Sequence, residues 1–205
     1  MARGAFITFE GGEGAGKTTQ AAHLAASLRA AGHEVVLTRE PGGTTEAEAV
    51  RRLLLDPQLA WTALGELLLV SAARAEHVAR LIRPALDAGK IVICDRFTDS
   101  TWAYQGAGRG LDETALACCE AMIGLSPDLT LLLDADPARL AARKGEAADR
   151  FERESAAFFA RVREGFLARA RRFPERIVVI DAEAAEAEVA AAVARAVRAR
   201  LGILP

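Results

Sequence analysis

AFITFEGGEGAGKT, residues 5–18, decides the fold. Six strand-forming residues (5–10) run into Gly11-Gly12-Glu13-Gly14-Ala15-Gly16-Lys17-Thr18, which fits GxxxxGK[ST]. Glycines at these places let successive backbone N–H groups turn inward and form an anion nest. A helix opening at Lys17 adds its positive N-terminal end. Lys17 can reach the β and γ oxygens of a nucleoside triphosphate, and the Thr18 hydroxyl suits Mg²⁺. The loop residues 11–18 together with Thr19 are therefore the expected ATP-binding set. Glu13 is out of place there, because a carboxylate repels phosphate unless it faces something else, such as a sugar hydroxyl.

Outward from this loop, short apolar runs alternate with longer helical stretches. Strands are expected at 5–10, 35–38, 91–94, 129–134 and 177–180. Their nearly continuous hydrophobicity suits parallel strands covered on both faces. Helices are expected at 18–31, 46–55, 63–88 with a bend at Pro84, 112–123, 137–143, 151–172 and 184–201. The alternation implies βαβ units, hence an α/β fold, and 1–205 reads as one domain. Ligands in such sheets gather beyond the carboxyl ends of the strands. Polar clusters at 11–18, 39–44, 95–106 and after Asp134 fall there.

Composition narrows the class. Hydrophobic residues make up 51% and charged residues 26%, enough for a sizeable core and against disorder. A net charge of -2 speaks against a nucleic-acid partner. Three cysteines (94, 118, 119) without ligand spacing speak against zinc and suit a reducing compartment. The longest apolar run, 67–73, is too short to span a bilayer, and no signal-like segment opens the chain, so a cytoplasmic protein without a membrane partner is expected. Only three of the 26 basic residues are lysines, which makes Lys17 stand out.

No asparagine occurs anywhere, so the guanine-reading Asn-Lys-x-Asp element is absent. Gly12 stands where a partition-type ATPase carries a second lysine. A small kinase remains, and it needs a second anion site plus basic cover for the transferring phosphoryl group. Asp95 ends a strand, where an acid can hold Mg²⁺ through water. Arg39, Arg74, Arg96 and a basic segment at 139–153 are the candidate anion contacts. An ATP-dependent binding module stays open beside the kinase reading.

FEGGEGAGKTT (9–19), TREPGGT (38–44), LLLDP (53–57), SAAR (71–74), DRFTDSTWAYQGAGRG (95–110), PDLTLLLD (127–134) and DRFE (149–152) follow in this order. Together they resemble the bacterial-type thymidylate kinase family over nearly the whole chain. The resemblance implies a P-loop NTPase fold with a five-stranded parallel sheet, helices on both faces, a small lid at about 139–153, and a homodimer. It implies transfer of the γ-phosphoryl group of ATP to dTMP, with Mg²⁺ held at Thr18 and Asp95. It implies that Arg96 contacts the acceptor phosphate and that Arg39 lies beside it. Arg74 would bond the thymine carbonyl; Ser100 and Thr101 would face the base, and Tyr104 and Gln105 the sugar. Glu13 would accept from the 3′-hydroxyl or orient the arginines, with Asp149 and Glu152 near the same sugar. Lys17 and Arg96 would act in catalysis with the lid bases Arg143, Lys144 and Arg150. Two departures stand out: Val70 replaces the usual stacking phenylalanine, and the lid is short. Val70 keeps a kinase for another deoxynucleoside monophosphate open.

Overall fold

The computed structural model describes residues 3–142, 150, 151 and 153–203. Five strands form one parallel sheet: β1 (Phe6–Gly11), β2 (Val35–Arg39), β3 (Ile91–Asp95), β4 (Leu129–Asp134) and β5 (Ile177–Asp181), in the order β2-β3-β1-β4-β5. Because β1 is central, the glycine loop emerges mid-sheet, flanked by the ends of β3 and β4. The pairing of Phe9 with Asp95 brings the end of β3 beside the start of the loop. Strands β2, β3 and β5 each run one residue past the apolar run expected for them. The added residues are Arg39, Asp95 and Asp181, so polar groups at the ligand edge are held by ladder pairing.

Helices α1 (Lys17–Ala30) and α9 (Glu186–Leu201) cover one face. Leu24, Leu28, Val193 and Val197 pack there against Ile7, Phe9 and Leu131. The other face carries α3 (Ala63–His77) and α8 (Ala156–Arg172). Phe158, Val162 and Phe166 of α8 pack there with Leu132 and Ile177. Between these lie α2 (Thr45–Leu55), α4 (Arg83–Asp87), α5 (Thr98–Thr101), α6 (Glu113–Ile123) and α7 (Pro137–Ala142).

Three differences from the sequence expectation exceed two residues. The long helix over 63–88 is interrupted by a π-helical turn, Val78–Ile82, before Pro84. Proline lacks an N–H and its ring crowds the carbonyl four residues back, so the turn before it widens. Helix α8 begins at Ala156 rather than at 151, because Ser155 caps it by accepting from the Phe158 N–H at 3.2 Å. Most consequentially, the polar stretch after Asp95 is helical: α5 continues into a π-helical segment, Trp102–Gly108. Its β-branched residues and glycines are weak helix formers. Tertiary packing wins, since a Cβ on Gly108 would meet the Phe158 ring at 2.7 Å, and one on Gly165 of α8 would meet Ala107 at 2.7 Å.

A buried ionic network pins this segment to the sheet. Asp99, 1% exposed, accepts from Arg169 Nε at 2.9 Å, Arg176 Nη1 at 2.7 Å and the Thr130 hydroxyl at 3.2 Å. Burial pushes its carboxyl up, but Arg176 and Arg169 outweigh that and hold it below the usual range. Removing Asp99 would take from Arg176 the carboxylate it pairs with, at a cost of about 3–5 kcal/mol.

Candidate active site

Loop 11–18 is closed by steric necessity. Gly11 has φ 135°, and a Cβ there would lie 2.3 Å from the Leu133 carbonyl oxygen of β4. Gly16, at φ 87°, caps α1 in the left-handed region. Lys17 is buried and its Nζ donates to the Gly12 carbonyl at 2.7 Å, which lays the ammonium across the loop. Burial, with Arg96 nearby, lowers its pKa to about 8, partly offset by Glu13 and Asp95. The Thr18 hydroxyl donates to Asp95 Oδ2 at 2.6 Å. A hydroxyl and a carboxylate are hard oxygen donors, the set that suits Mg²⁺ bound with few protein ligands.

On the other side of the loop stands Arg96. Its backbone is left-handed, φ 72°, the one non-glycine with positive φ among the described residues. Such a conformation costs about 1–2 kcal/mol and persists where surrounding contacts overdetermine it. Here the Arg96 N–H donates to the Phe9 carbonyl at 2.8 Å. Nη1 donates to the Gly11 carbonyl at 3.0 Å and to Ser100 Oγ at 3.1 Å. Nη2 donates to Glu13 Oε1 at 2.6 Å and to the Tyr104 oxygen at 3.2 Å, while the Tyr104 hydroxyl donates to Glu13 Oε1 at 3.0 Å. Burial is the largest single influence and opposes the guanidinium charge, but Glu13 together with Tyr104, Asp95 and Glu10 outweighs it, and the pKa rises further above the ordinary arginine value. Glu13 thus faces into an arginine–tyrosine cluster.

Glu10, at 0% exposure, supports this turn from below. Its Oε1 accepts the Phe97 N–H at 2.8 Å and its Oε2 accepts the Ser100 hydroxyl at 2.5 Å. Burial, reinforced by Asp99, pushes its carboxyl up to about 7.

Arg74 lies further out and is fixed at three points. Nε donates to Glu40 Oε2 at 2.6 Å, Nη1 to the Thr101 hydroxyl at 2.9 Å and Nη2 to the Phe97 carbonyl at 3.0 Å. His77 Nδ1 lies 3.0 Å from the other Glu40 oxygen. Arg39 is half-exposed at the rim and donates to Glu48 Oε1 at 3.0 Å.

A cavity of about 420 Å³ joins these groups. Glu13, Gly14, Gly16, Lys17, Thr18 and Thr19 line it from the loop; Arg39, Arg74, Asp95, Arg96, Ser100, Thr101, Tyr104 and Gln105 line it from the other side. Gly11 and Gly12 border a neighbouring cavity instead, and Ala15 is packed into the core. Arg150 donates to the Leu54 carbonyl at 3.1 Å and to Glu66 Oε2 at 2.7 Å. Arg143, Lys144, Asp149 and Glu152 lie outside the described residues.

Several groups escaped the sequence reading. Arg51 and Phe151 line the cavity, Phe151 meeting Tyr104 edge-on at 5.8 Å. Val70, the departure from the family pattern, shares the wall with Phe151, so an aromatic ring comes from another element. Glu10, Glu40 and Glu66 are buried acids; the visible signal for Glu10 and Glu66 is a lone carboxylate within an apolar run.

The geometry is matched by likeness to known proteins. A family model described as thymidylate kinase matches residues 9–193. The thymidylate kinase of Chromohalobacter salexigens is 57% identical, over 93% of this chain and 95% of that protein. That of Deinococcus radiodurans is 52% identical, over 98% and 99%. The solved thymidylate kinase of Ehrlichia chaffeensis superposes with TM-score 0.80 at 39% identity, covering 94% of this chain and 98% of that one.

Proposed function

The chain belongs to the thymidylate kinase family and transfers the γ-phosphoryl group of ATP to dTMP for nucleotide biosynthesis; we propose that loop 11–18 serves as the common floor of its two sites. The observation that carries this is the division of the loop. The Thr18 hydroxyl meets Asp95, whereas Glu13 meets Arg96 and Tyr104, and Lys17 lies across the loop between the two groups.

On the donor side, the loop amides from Gly11 to Gly16, with Lys17, Thr18 and Thr19, hold the triphosphate of ATP. Thr18 and Asp95 would hold Mg²⁺, which supplies charge neutralisation on the phosphates. On the acceptor side, Arg96 binds the dTMP phosphate, with Arg39 at the rim. Arg74 and Thr101 face the base and Tyr104 the sugar; Ser100, expected at the base, stands with Arg96 toward the phosphate end, and Gln105, expected at the sugar, stands beside the base. Val70 and Phe151 form the apolar walls. Asp149 and Glu152 are assigned to the sugar on the family resemblance alone. Catalysis is positioning plus electrostatic cover: Arg96 bridges the two phosphates while the lid at 139–153 closes over them. Arg143 and Lys144 are the first lid bases in this role. Arg150 follows them, because it must leave Glu66 and the Leu54 carbonyl to reach the transferring group.

The same reading makes the enzyme a cytoplasmic homodimer. Leu64 and Leu68 lie one turn apart on α3 and are 52% and 54% exposed, an apolar stripe suited to helix-on-helix packing. Sedimentation at low concentration checks it.

An acceptor panel with ATP tests the central reading. dTMP should be preferred by kcat/KM over dCMP and the purine monophosphates; no preference over dCMP would sink it.

A further inference from the structure

We propose that Glu66 sets the base preference of this enzyme by fixing which end of the Gln105 amide faces the cavity. Glu66, Val70 and Arg74 are spaced by four on α3 and so share one face. Glu66 is 0% exposed. Its Oε1 accepts from Gln105 Nε2 at 2.7 Å and from Arg109 Nε at 3.3 Å. Its Oε2 lies 2.7 Å from Arg150 Nη2 and 3.2 Å from Arg109 Nη2.

A carboxylate has no proton to give, so Gln105 can meet it only with the NH₂ end. The amide oxygen is thereby turned away from Glu66, and Gln105 lines the cavity. The cavity wall then offers an acceptor at Gln105 and a donor-only guanidinium at Arg74. A thymine or uracil ring presents a carbonyl at C4 and an N–H at N3, which complements both. A cytosine ring presents an amino group and a bare nitrogen, which opposes both. Glu66 touches no nucleotide in this scheme; it is a positioning residue acting through Gln105. The inference rests on the reading that the acceptor base lies between Arg74 and Gln105.

Steady-state kinetics with dTMP, dUMP and dCMP test it on three variants. Glu66→Gln can donate as well as accept, which frees the Gln105 amide to turn. The dTMP/dCMP ratio of kcat/KM should fall about 10- to 100-fold, the effect of one hydrogen bond made or left unpaired. The dTMP/dUMP ratio should stay within about threefold, because the two bases share that edge. Gln105→Leu should lower the dTMP/dCMP ratio similarly, and adding Glu66→Gln to it should change the ratio no further. An unchanged ratio in Glu66→Gln, with Gln105→Leu effective, overturns the proposal alone. Gln105→Leu without effect shows that the base lies elsewhere and overturns the site reading with it. Should Glu66→Gln fail to fold, the exchanged pair Glu66→Gln/Gln105→Glu carries the test. It swaps donor and acceptor yet leaves a carboxylate oxygen facing the base. Retained dTMP preference supports the proposal; its loss in the folded pair overturns it.

Discussion

Glu13 Oε1 lies 2.6 Å from Arg96 Nη2, so the acid inside the phosphate loop is neutralised by the arginine that follows β3. The pair joins two segments 83 positions apart across the centre of the sheet. It turns a repulsive charge into a support for the group assigned to the acceptor phosphate.

Arg96→Ala should therefore lower kcat/KM for dTMP by roughly 10²–10³-fold, the usual loss for one preorganised electrostatic contact. ATP binding alone, followed by calorimetry, should change by less than about threefold. An equal collapse of ATP affinity would place Arg96 on the donor side.

Asp95→Asn should raise the Mg²⁺ concentration needed for half-maximal rate by about tenfold or more, since a charged oxygen is replaced by a neutral one. Thr18→Ala should act in the same direction. Metal titrations of initial rate check both, and saturation at the wild-type concentration would remove Asp95 from the metal site.

Lys17 carries a pKa lowered to about 8 by burial and by Arg96. ATP phosphates favour the charged ammonium, so binding above that pH must take up a proton. ATP affinity should be flat below about pH 7.5 and weaken by up to roughly tenfold per pH unit above 8. Calorimetry in buffers of different ionisation enthalpy would detect the proton, and Lys17→Ala should abolish turnover.

Glu10 predicts a stability change of opposite sense to that of a paired surface acid. Its folded pKa, about 7, is raised above the ordinary value of 4.5, so the native state binds the extra proton between those values. The contribution is full below pH 4.5 and is lost as pH rises to about 7, roughly 3 kcal/mol in all. Glu10→Gln stays neutral throughout. In urea melts, the stability of wild type relative to Glu10→Gln should fall from pH 5 to pH 7.5; a constant difference would contradict the assignment.

The sheet was legible because its strands announce themselves as apolar runs after turn signals, and the loop at 11–18 has a fixed spacing. The places of Lys17, Thr18 and Asp95 were legible for the same reason. The segment 98–108 was not, because its helicity comes from Gly108 and Gly165 admitting Phe158 and Ala107, a contact between positions far apart in sequence. The left-handed Arg96 has no local signature either; Glu13, Ser100 and Tyr104 enforce it from three places. The partner of Glu13 was foreseeable only as a kind of group, whereas the partners of Glu66 depend on α3 and the π-helical segment meeting in space.

That π-helical segment and the short helix before it carry two adjoining columns of side chains. Ser100 and Tyr104 meet Arg96, while Thr101 meets Arg74 and Gln105 meets Glu66. In the proposed reading, neighbours in sequence therefore serve opposite ends of the acceptor. An insertion or deletion of one residue just before the segment would rotate both columns together by roughly a quarter turn. Redesign for a longer or differently shaped acceptor cannot retune one end here by sliding the chain. It must keep the phase of this helix and alter side chains column by column.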